Sequence, residues 1–180
     1  MPSRSISIPL LTAEECDSIV NNSSKWIEGT VHKFGQYLVN KSFRSVQICN
    51  EPLPEDLLDK IFKTVFLLNS ETFRYHLEGY NPKDPPLVFK YSEDRSDHYV
   101  WHTDSISGDK VRKLSFSLQL NDDHEYEGGD LEFMPAIKDS KIRKKGYITV
   151  FPSYATHRVT PVTQGTRHVI VGWIYGPEFR

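Results

Sequence analysis

The sequence predicts a mainly β protein with flanking helices (α+β): an antiparallel sandwich or jelly roll preceded by two helices. Short runs of period-two hydrophobicity, separated by Gly, Pro and Asp turns, recur after Asn69. Both segments with helix-start signals precede them. The 180 residues, 38% hydrophobic and 26% charged, suit one globular domain with one core.

Taken in order, Ser5 to Ile8 alternates polar and apolar and reads as a short strand. Thr12-Ala-Glu-Glu15 is a capping box that opens a helix to about Ser24. Residues 25–50 read as strands and turns punctuated by Gly29 and Gly35. Pro54 to Asn69 reads as the second helix, with Pro in the first turn and Glu55 and Asp56 at its positive end. Phe73, Tyr75 and Leu77 then alternate as in a strand, and Leu87 to Tyr91 is β-rich. Leu114 to Leu120 alternates strictly, with Leu114, Phe116, Leu118 and Leu120 on one face. Leu131 to Phe133, Tyr147 to Phe151 and His168 to Tyr175 complete the strands, and the helices are expected on the outside of one sheet.

A formal net charge of −2 gives no broad electrostatic argument for nucleic acid. Two cysteines, Cys16 and Cys49, make neither a disulfide framework nor a zinc cluster and read as reduced thiols. No apolar run reaches the roughly 18 residues that span a bilayer, and the N-terminus lacks a signal-peptide core, so the expected location is the cytoplasm.

The chemistry centres on Trp101-His102-Thr103-Asp104. Residues two apart in an extended segment point to the same side, so His102 and Asp104 can converge on one ion. With one distant imidazole they make the facial triad of non-haem Fe(II) sites, which leaves three coordination positions open. Alone, an H-x-D is weak, since a solvated surface turn gives the same pattern. The rest of the chain strengthens it. A β-rich run, Gly146 to Pro152, leads to Ser153-Tyr-Ala-Thr-His157-Arg-Val-Thr-Pro-Val162 and then to Gly165-Thr-Arg167, ending in Gly172-Trp173.

This series resembles the prolyl 4-hydroxylase-like branch of the Fe(II)/2-oxoglutarate oxygenases. The shared pattern is H-x-D, then Gly128-Gly-Asp-Leu-Glu-Phe133, then F-P-x(4)-H-x-V-x-P-V-x-x-G-x-R and a trailing G-W, in that order. The resemblance covers about residues 87–176 as a motif-bearing core, with 1–86 as its support in a single domain of 1–180. It implies a double-stranded β-helix (cupin-like jelly roll) and assigns His102, Asp104 and His157 to iron, through which they act catalytically. Arg167 matches the residue that grips the distal carboxylate of 2-oxoglutarate, a task suited to a planar guanidinium. Tyr91 matches a tyrosine that reaches the same carboxylate, although it lies eleven residues before His102, where the family has a shorter, glycine-containing link. The implied cofactors are Fe(II), 2-oxoglutarate as cosubstrate and O2, with ascorbate as reductant.

Strand parity places Trp173 on the face of Arg167, in the core or the cavity wall, and His168 on the opposite face, outward or against a helix. Thr149 and Leu118 are candidates for the cosubstrate pocket. The loops Ser92 to Tyr99 and Ser105 to Arg112, the second with Gly108, are expected near the mouth, and one of them is a candidate lid. Arg95, Lys110 and Arg112 are candidate substrate contacts, and Phe43 and Arg44 lie on an early strand that could border the cleft. His32, His76, His98 and His124 read as ordinary histidines.

The resemblance implies hydroxylation of an unactivated C–H, foremost that of a prolyl residue in a peptide or protein, with release of succinate and CO2. A free amino acid or other small metabolite is the second reading. A nucleic-acid-directed oxygenase ranks third, because relatives of that kind carry a second Arg where this chain has Trp173. A catalytically silent binding barrel or a mononuclear zinc hydrolase would leave the role of Arg167 unexplained.

Overall fold

The computed structural model describes residues 5–33, 36–105, 110–136 and 139–178. The chain opens with β1 (Ile6–Pro9) and α1 (Ala13–Asn22). Short strands follow: β2 (Trp26–Glu28), β3 (Val31–Lys33), β4 (Gln36–Leu38), β5 (Arg44–Ser45) and β6 (Gln47–Cys49). After α2 (Glu55–Leu68) come β7 (Leu87–Ser92), β8 (His98–His102), β9 (Val111–Gln119), β10 (Tyr126–Gly128) and β11 (Leu131–Met134). The chain then closes with β12 (Tyr147–Pro152), β13 (Thr156–Val159) and the long β14 (Val162–Gly176).

These strands form two facing antiparallel sheets and a separate β3–β4 hairpin. The larger sheet runs β1-β12-β9-β14-β7-β6-β2, with β10 on β14, and the smaller runs β11-β13-β8-β5. The jelly roll expected from the sequence is therefore present, and the cavity described below lies between its sheets.

The helices start as their sequences dictate. Thr12 accepts from the Glu15 backbone N–H at 3.2 Å, while the Glu15 carboxylate receives the Thr12 N–H at 2.7 Å. Pro54 is the N-cap of α2 rather than its first residue. The apolar face of α2, through Leu57, Ile61, Val65 and Leu68, packs on Leu114, Phe116, Leu118, Ile148, Ile170 and Ile174 of the larger sheet. Each such side chain contributes roughly 1.5–3 kcal/mol on burial. On β7 and β14 the opposite parity, Phe89, Tyr91, Val169 and Trp173, forms a second cluster between the sheets. The central strands are thus covered on both faces, by helices outside and by the second sheet inside.

The strand expected at Phe73, Tyr75 and Leu77 does not form. Residues Asn69–Phe73 make a π-helical turn, which Arg74 ends in the left-handed region at φ 56°. The Asn69 amide then bonds both backbone groups of Tyr75, at 2.9 Å each, and so takes the place of a strand partner. The alternation marked burial all the same, since the three side chains pack against the helix-side core.

His168 points away from the cavity as parity required, but it packs on Trp26 of β2, with ring centroids 5.8 Å apart, rather than on a helix. Burial, reinforced by Lys90 and opposed by Glu125, pushes its imidazole down to about 4. The unfolded chain titrates near 6.5, so between those values it binds a proton that the folded chain refuses. Stability is therefore complete above pH 6.5 and falls as the pH drops towards 4, by about 3 kcal/mol from this group. Urea unfolding at pH 7 and pH 4.5 should show a smaller loss for His168→Gln than for the parent. Equal losses would assign the acid sensitivity to other groups.

Cys16 and Cys49 are free and buried, and burial pushes the Cys16 thiol up to about 11, so it behaves as a packing residue. Among the described residues, no helix is long and apolar enough to cross a membrane.

Candidate metal and cosubstrate site

Strand pairing assembles the site. The register of β13 against β8 sets His157 directly opposite His102, although 55 residues separate them in sequence. Asp104 follows β8 by two residues, and its N–H donates to the Ser153 carbonyl at 2.9 Å, which pins the turn that carries it. The ligand atoms of His102, Asp104 and His157 lie within 4.8 Å of one another. His102 Nε2 is 3.6 Å from Asp104 Oδ1, and His157 Nε2 is 3.5 Å from Oδ2. Adjacent ligands on an octahedron with bonds of about 2.1 Å sit roughly 3 Å apart, so a small inward movement would close the three donors on an ion.

The donor chemistry fits a metal as well. His102 Nδ1 lies 2.7 Å from the Val100 carbonyl and His157 Nδ1 lies 2.9 Å from the Ala155 carbonyl. A carbonyl can only accept, so both Nδ1 atoms carry the proton and both Nε2 lone pairs face the site. Burial pushes the His157 imidazole below its usual value, with Asp104 opposing, and this favours the neutral ring that ligation needs. For Asp104, burial works against ionisation, but the two imidazoles outweigh it and hold the carboxyl well below the usual range. Ser115 donates to Asp104 Oδ2 at 2.7 Å and meets Ser153 Oγ at 2.9 Å, which fixes the carboxylate plane.

Arg167 and Tyr91 reach the same cavity from the larger sheet, as direct partners across β14 and β7. Arg167 is 3% exposed, and among the described residues no carboxylate lies within ion-pair distance of it. Its Nε donates instead to Gln119 Oε1 at 3.1 Å, and Gln119 Nε2 donates in turn to the Tyr126 hydroxyl at 2.9 Å. This chain of bonds orients a buried guanidinium whose remaining N–H groups can take an incoming carboxylate. Burial pushes the Tyr91 phenol up, so it remains a donor. The eleven-residue link to His102 is absorbed by the turn Glu93–Arg95 and by the fully buried Asp97, which accepts from Ser45, the Ser92 N–H and Arg95.

The three charged residues expected at the substrate do not line the cavity. Arg95 makes a bidentate pair with Glu28 at 2.6 and 2.7 Å and also bonds Asp97. Lys110 pairs with Glu78 at 2.7 Å. Arg112 pairs with Asp84, and its guanidinium carbon sits 3.7 Å from the Trp173 ring centroid. In each case a carboxylate of the fold itself neutralises the charge. Residues 106–109 of the second candidate lid, with Gly108, and the His32 side chain lie outside the described residues. Leu118 belongs to the helix-side core and Thr149 bonds Ser7 at 3.0 Å, so Ser117 lines the cavity in their place. Trp173 is a cavity wall, 8% exposed, and its buried indole lies beside Asp104 and helps to hold that carboxyl low. His98 bonds the Ser96 and Ser42 carbonyls, and His76 and His124 are exposed.

Ser115, Ser117 and Gln119 are not among the site residues expected from the sequence, although it carries a signal for them. They are the polar half of the β9 alternation whose apolar half was read as core. In a sheet covered on both faces, the polar half faces an inner surface rather than solvent. Tyr99 was missed as well, and its ring stacks on His102 with centroids 3.5 Å apart.

A jelly roll with two histidines and one carboxylate at its centre, beside a buried unpaired arginine, defines the class of non-haem iron oxygenases. Residues 87–175 match the sequence model of the 2OG-Fe(II) oxygenase superfamily, and the chain belongs to it. That superfamily implies Fe(II), 2-oxoglutarate and O2. The chain is 41% identical over 91 residues to a PKHD-type hydroxylase of Synechococcus sp. (strain CC9605), an alignment covering 49% of this chain and 40% of that one. A PKHD-type hydroxylase of Azoarcus sp. (strain BH72) is 32% identical over 155 residues, or 81% of this chain and 65% of that one. The chain thus spans about two fifths of the first relative and just under two thirds of the second. A Pseudomonas putida prolyl-4-hydroxylase superposes with a TM-score of 0.66 at 20% identity, covering 96% of this chain and 92% of that one. A Trichoplax adhaerens prolyl hydroxylase, solved with a hypoxia inducible factor peptide fragment, gives 0.72 at 16% identity, covering 95% and 83%. These two likenesses establish the fold.

Proposed function

We propose that the chain, as one domain over residues 1–180, is an Fe(II)- and 2-oxoglutarate-dependent dioxygenase that hydroxylates a prolyl residue of a peptide or protein. The carrying observation is one cavity that holds three convergent metal donors and, across it, a buried arginine without a carboxylate. His102, Asp104 and His157 would hold the iron, and Arg167 with Tyr91 would hold the distal carboxylate of 2-oxoglutarate. When bound, the iron supplies the O2 activation that converts 2-oxoglutarate, O2 and a C–H into succinate, CO2 and an alcohol.

The protein's own part is binding and exclusion of water. The Ser115 and backbone-carbonyl bonds hold the three ligands in orientation, and Gln119 holds Arg167. Phe151, Val171 and Trp173 give the cavity apolar walls that keep bulk water from the reacting atoms. Ascorbate is proposed as the reductant that restores Fe(II), and the cytoplasm as the location. The prolyl substrate is supported by the hydroxylase names of the relatives and by the peptide bound to the Trichoplax neighbour.

The test is succinate formation by the purified chain with Fe(II), 2-oxoglutarate and ascorbate, with and without a proline-rich peptide whose mass is read in parallel. Peptide-stimulated succinate with a one-oxygen gain on proline is expected. Iron-dependent succinate with an unchanged peptide would reject prolyl hydroxylation and keep the oxygenase. No iron-dependent succinate would reject both.

A further inference from the structure

We propose that Arg44 selects the primary substrate by pairing its guanidinium with a substrate carboxylate inside the cavity. The inference rests on the oxygenase reading, since it requires that the cavity admit a substrate. Arg44 lies on β5, the edge strand of the smaller sheet, in register with Tyr99, whose ring stacks on the metal ligand His102. The guanidinium therefore stands one strand outward from the metal-bearing strand and lines the same cavity. Its carbon is 4.9 Å from the Tyr99 ring centroid and 5.1 Å from that of Phe89. Nη1 donates to the Thr30 carbonyl at 2.8 Å, which fixes the fork, while Nε is buried without a partner among the described residues.

Charge balance singles this residue out. Arg95, Arg112, Arg143 and Arg158 each have a carboxylate of the fold beside them. Among the described residues Arg44, Arg167 and the exposed Arg74 have none, and of these Arg44 and Arg167 line the cavity, from opposite sheets. Asp104, the cavity's own carboxylate, is already engaged with the two imidazoles and Ser115. The distal carboxylate of 2-oxoglutarate answers Arg167 and leaves a second cation unanswered. An enclosed guanidinium without a counter-ion is costly, and a second carboxylate, delivered by the substrate, would offset that cost. Contacts with aromatic faces stabilise Arg44 but confer no preference among ligands. A purely structural Arg44 would therefore leave ligand choice unchanged.

The test measures equilibrium binding by calorimetry to the full chain with Fe(II) and 2-oxoglutarate under argon, so that no turnover occurs. The probes are N-acetylproline and its amide, N-acetylleucine and its amide, and the capped dipeptide N-acetyl-Pro-Glu-amide with its neutral counterpart N-acetyl-Pro-Gln-amide. The expected result is at least one acid bound about tenfold or more tightly than its neutral counterpart. That preference should vanish in Arg44→Met and persist, weakened, in Arg44→Lys, which also serves if the methionine variant does not fold. Preference for the N-acetyl acids assigns a terminal or free amino-acid carboxylate, and preference for the capped dipeptide assigns an acidic neighbour within a chain. Absence of any Arg44-dependent acid preference overturns the proposal, as does a fall in 2-oxoglutarate affinity in Arg44→Met in place of lost acid preference. Failure of the prolyl reading is a separate outcome, in which acid preference is present under argon but no prolyl probe gains oxygen when the same samples are then exposed to air.

Discussion

His102→Ala is expected to abolish both iron binding and 2-oxoglutarate turnover. The site offers three protein donors, and removing one leaves two that cannot enclose a face of the ion. Loss of outer-shell partners alone weakens metal affinity about 10–100-fold, so losing a direct ligand should exceed about 100-fold. Two measurements check this: Fe(II) binding under anaerobic conditions and the metal-induced rise in melting temperature. Metal at 100 times its dissociation constant stabilises the parent by about 2.7 kcal/mol, and the variant should gain almost none. Asp104→Ala should behave alike, with a further penalty because Ser115 loses its acceptor. Iron binding that survives either change would place the metal elsewhere.

Arg167→Met is expected to raise the KM for 2-oxoglutarate by roughly 100-fold or more. Removing one side of a buried, hydrogen-bonded charge pair costs about 2–5 kcal/mol, and a large part of that is the partner charge left unpaired. Arg167→Lys keeps the charge but loses the fork and the bond to Gln119, so an intermediate loss, about tenfold, is expected. Iron affinity should change little in both variants, because Arg167 is not among the metal donors. A normal KM in Arg167→Met would separate this arginine from the cosubstrate and return it to a structural role with Gln119 and Tyr126.

The donor residues were legible in the sequence because their signals are local or ordered. His102 and Asp104 are two apart on one extended segment, and His157 and Arg167 sit in a motif of fixed spacing. Helix starts were legible for the same reason, since the Thr12–Glu15 box is complete within four residues. The false strand at Phe73–Leu77 shows the limit of such signals. Period-two burial was read correctly, but whether a backbone finds a strand partner depends on a competitor, here the Asn69 side chain.

Loop charges were legible as charges but not as contacts. Arg95 lies 67 residues from Glu28, and Arg112 lies 28 from Asp84. No local pattern announces that such pairs form, or that they keep these cations out of the cavity. Arg44 is legible as a residue on an early strand, yet its meaning depends on which carboxylates stand near it, a question only the folded arrangement answers. By itself the sequence determined the jelly roll with its helical flank and named the two His, one Asp and one Arg that the fold brings to one cavity. The tertiary structure decided which polar face of β9 supports them, which cations remain unpaired and which side chains wall the cavity. The physical reason is that periodicity and spacing act along the chain, whereas charge pairing and enclosure are set by strand register and sheet-on-sheet packing between distant segments.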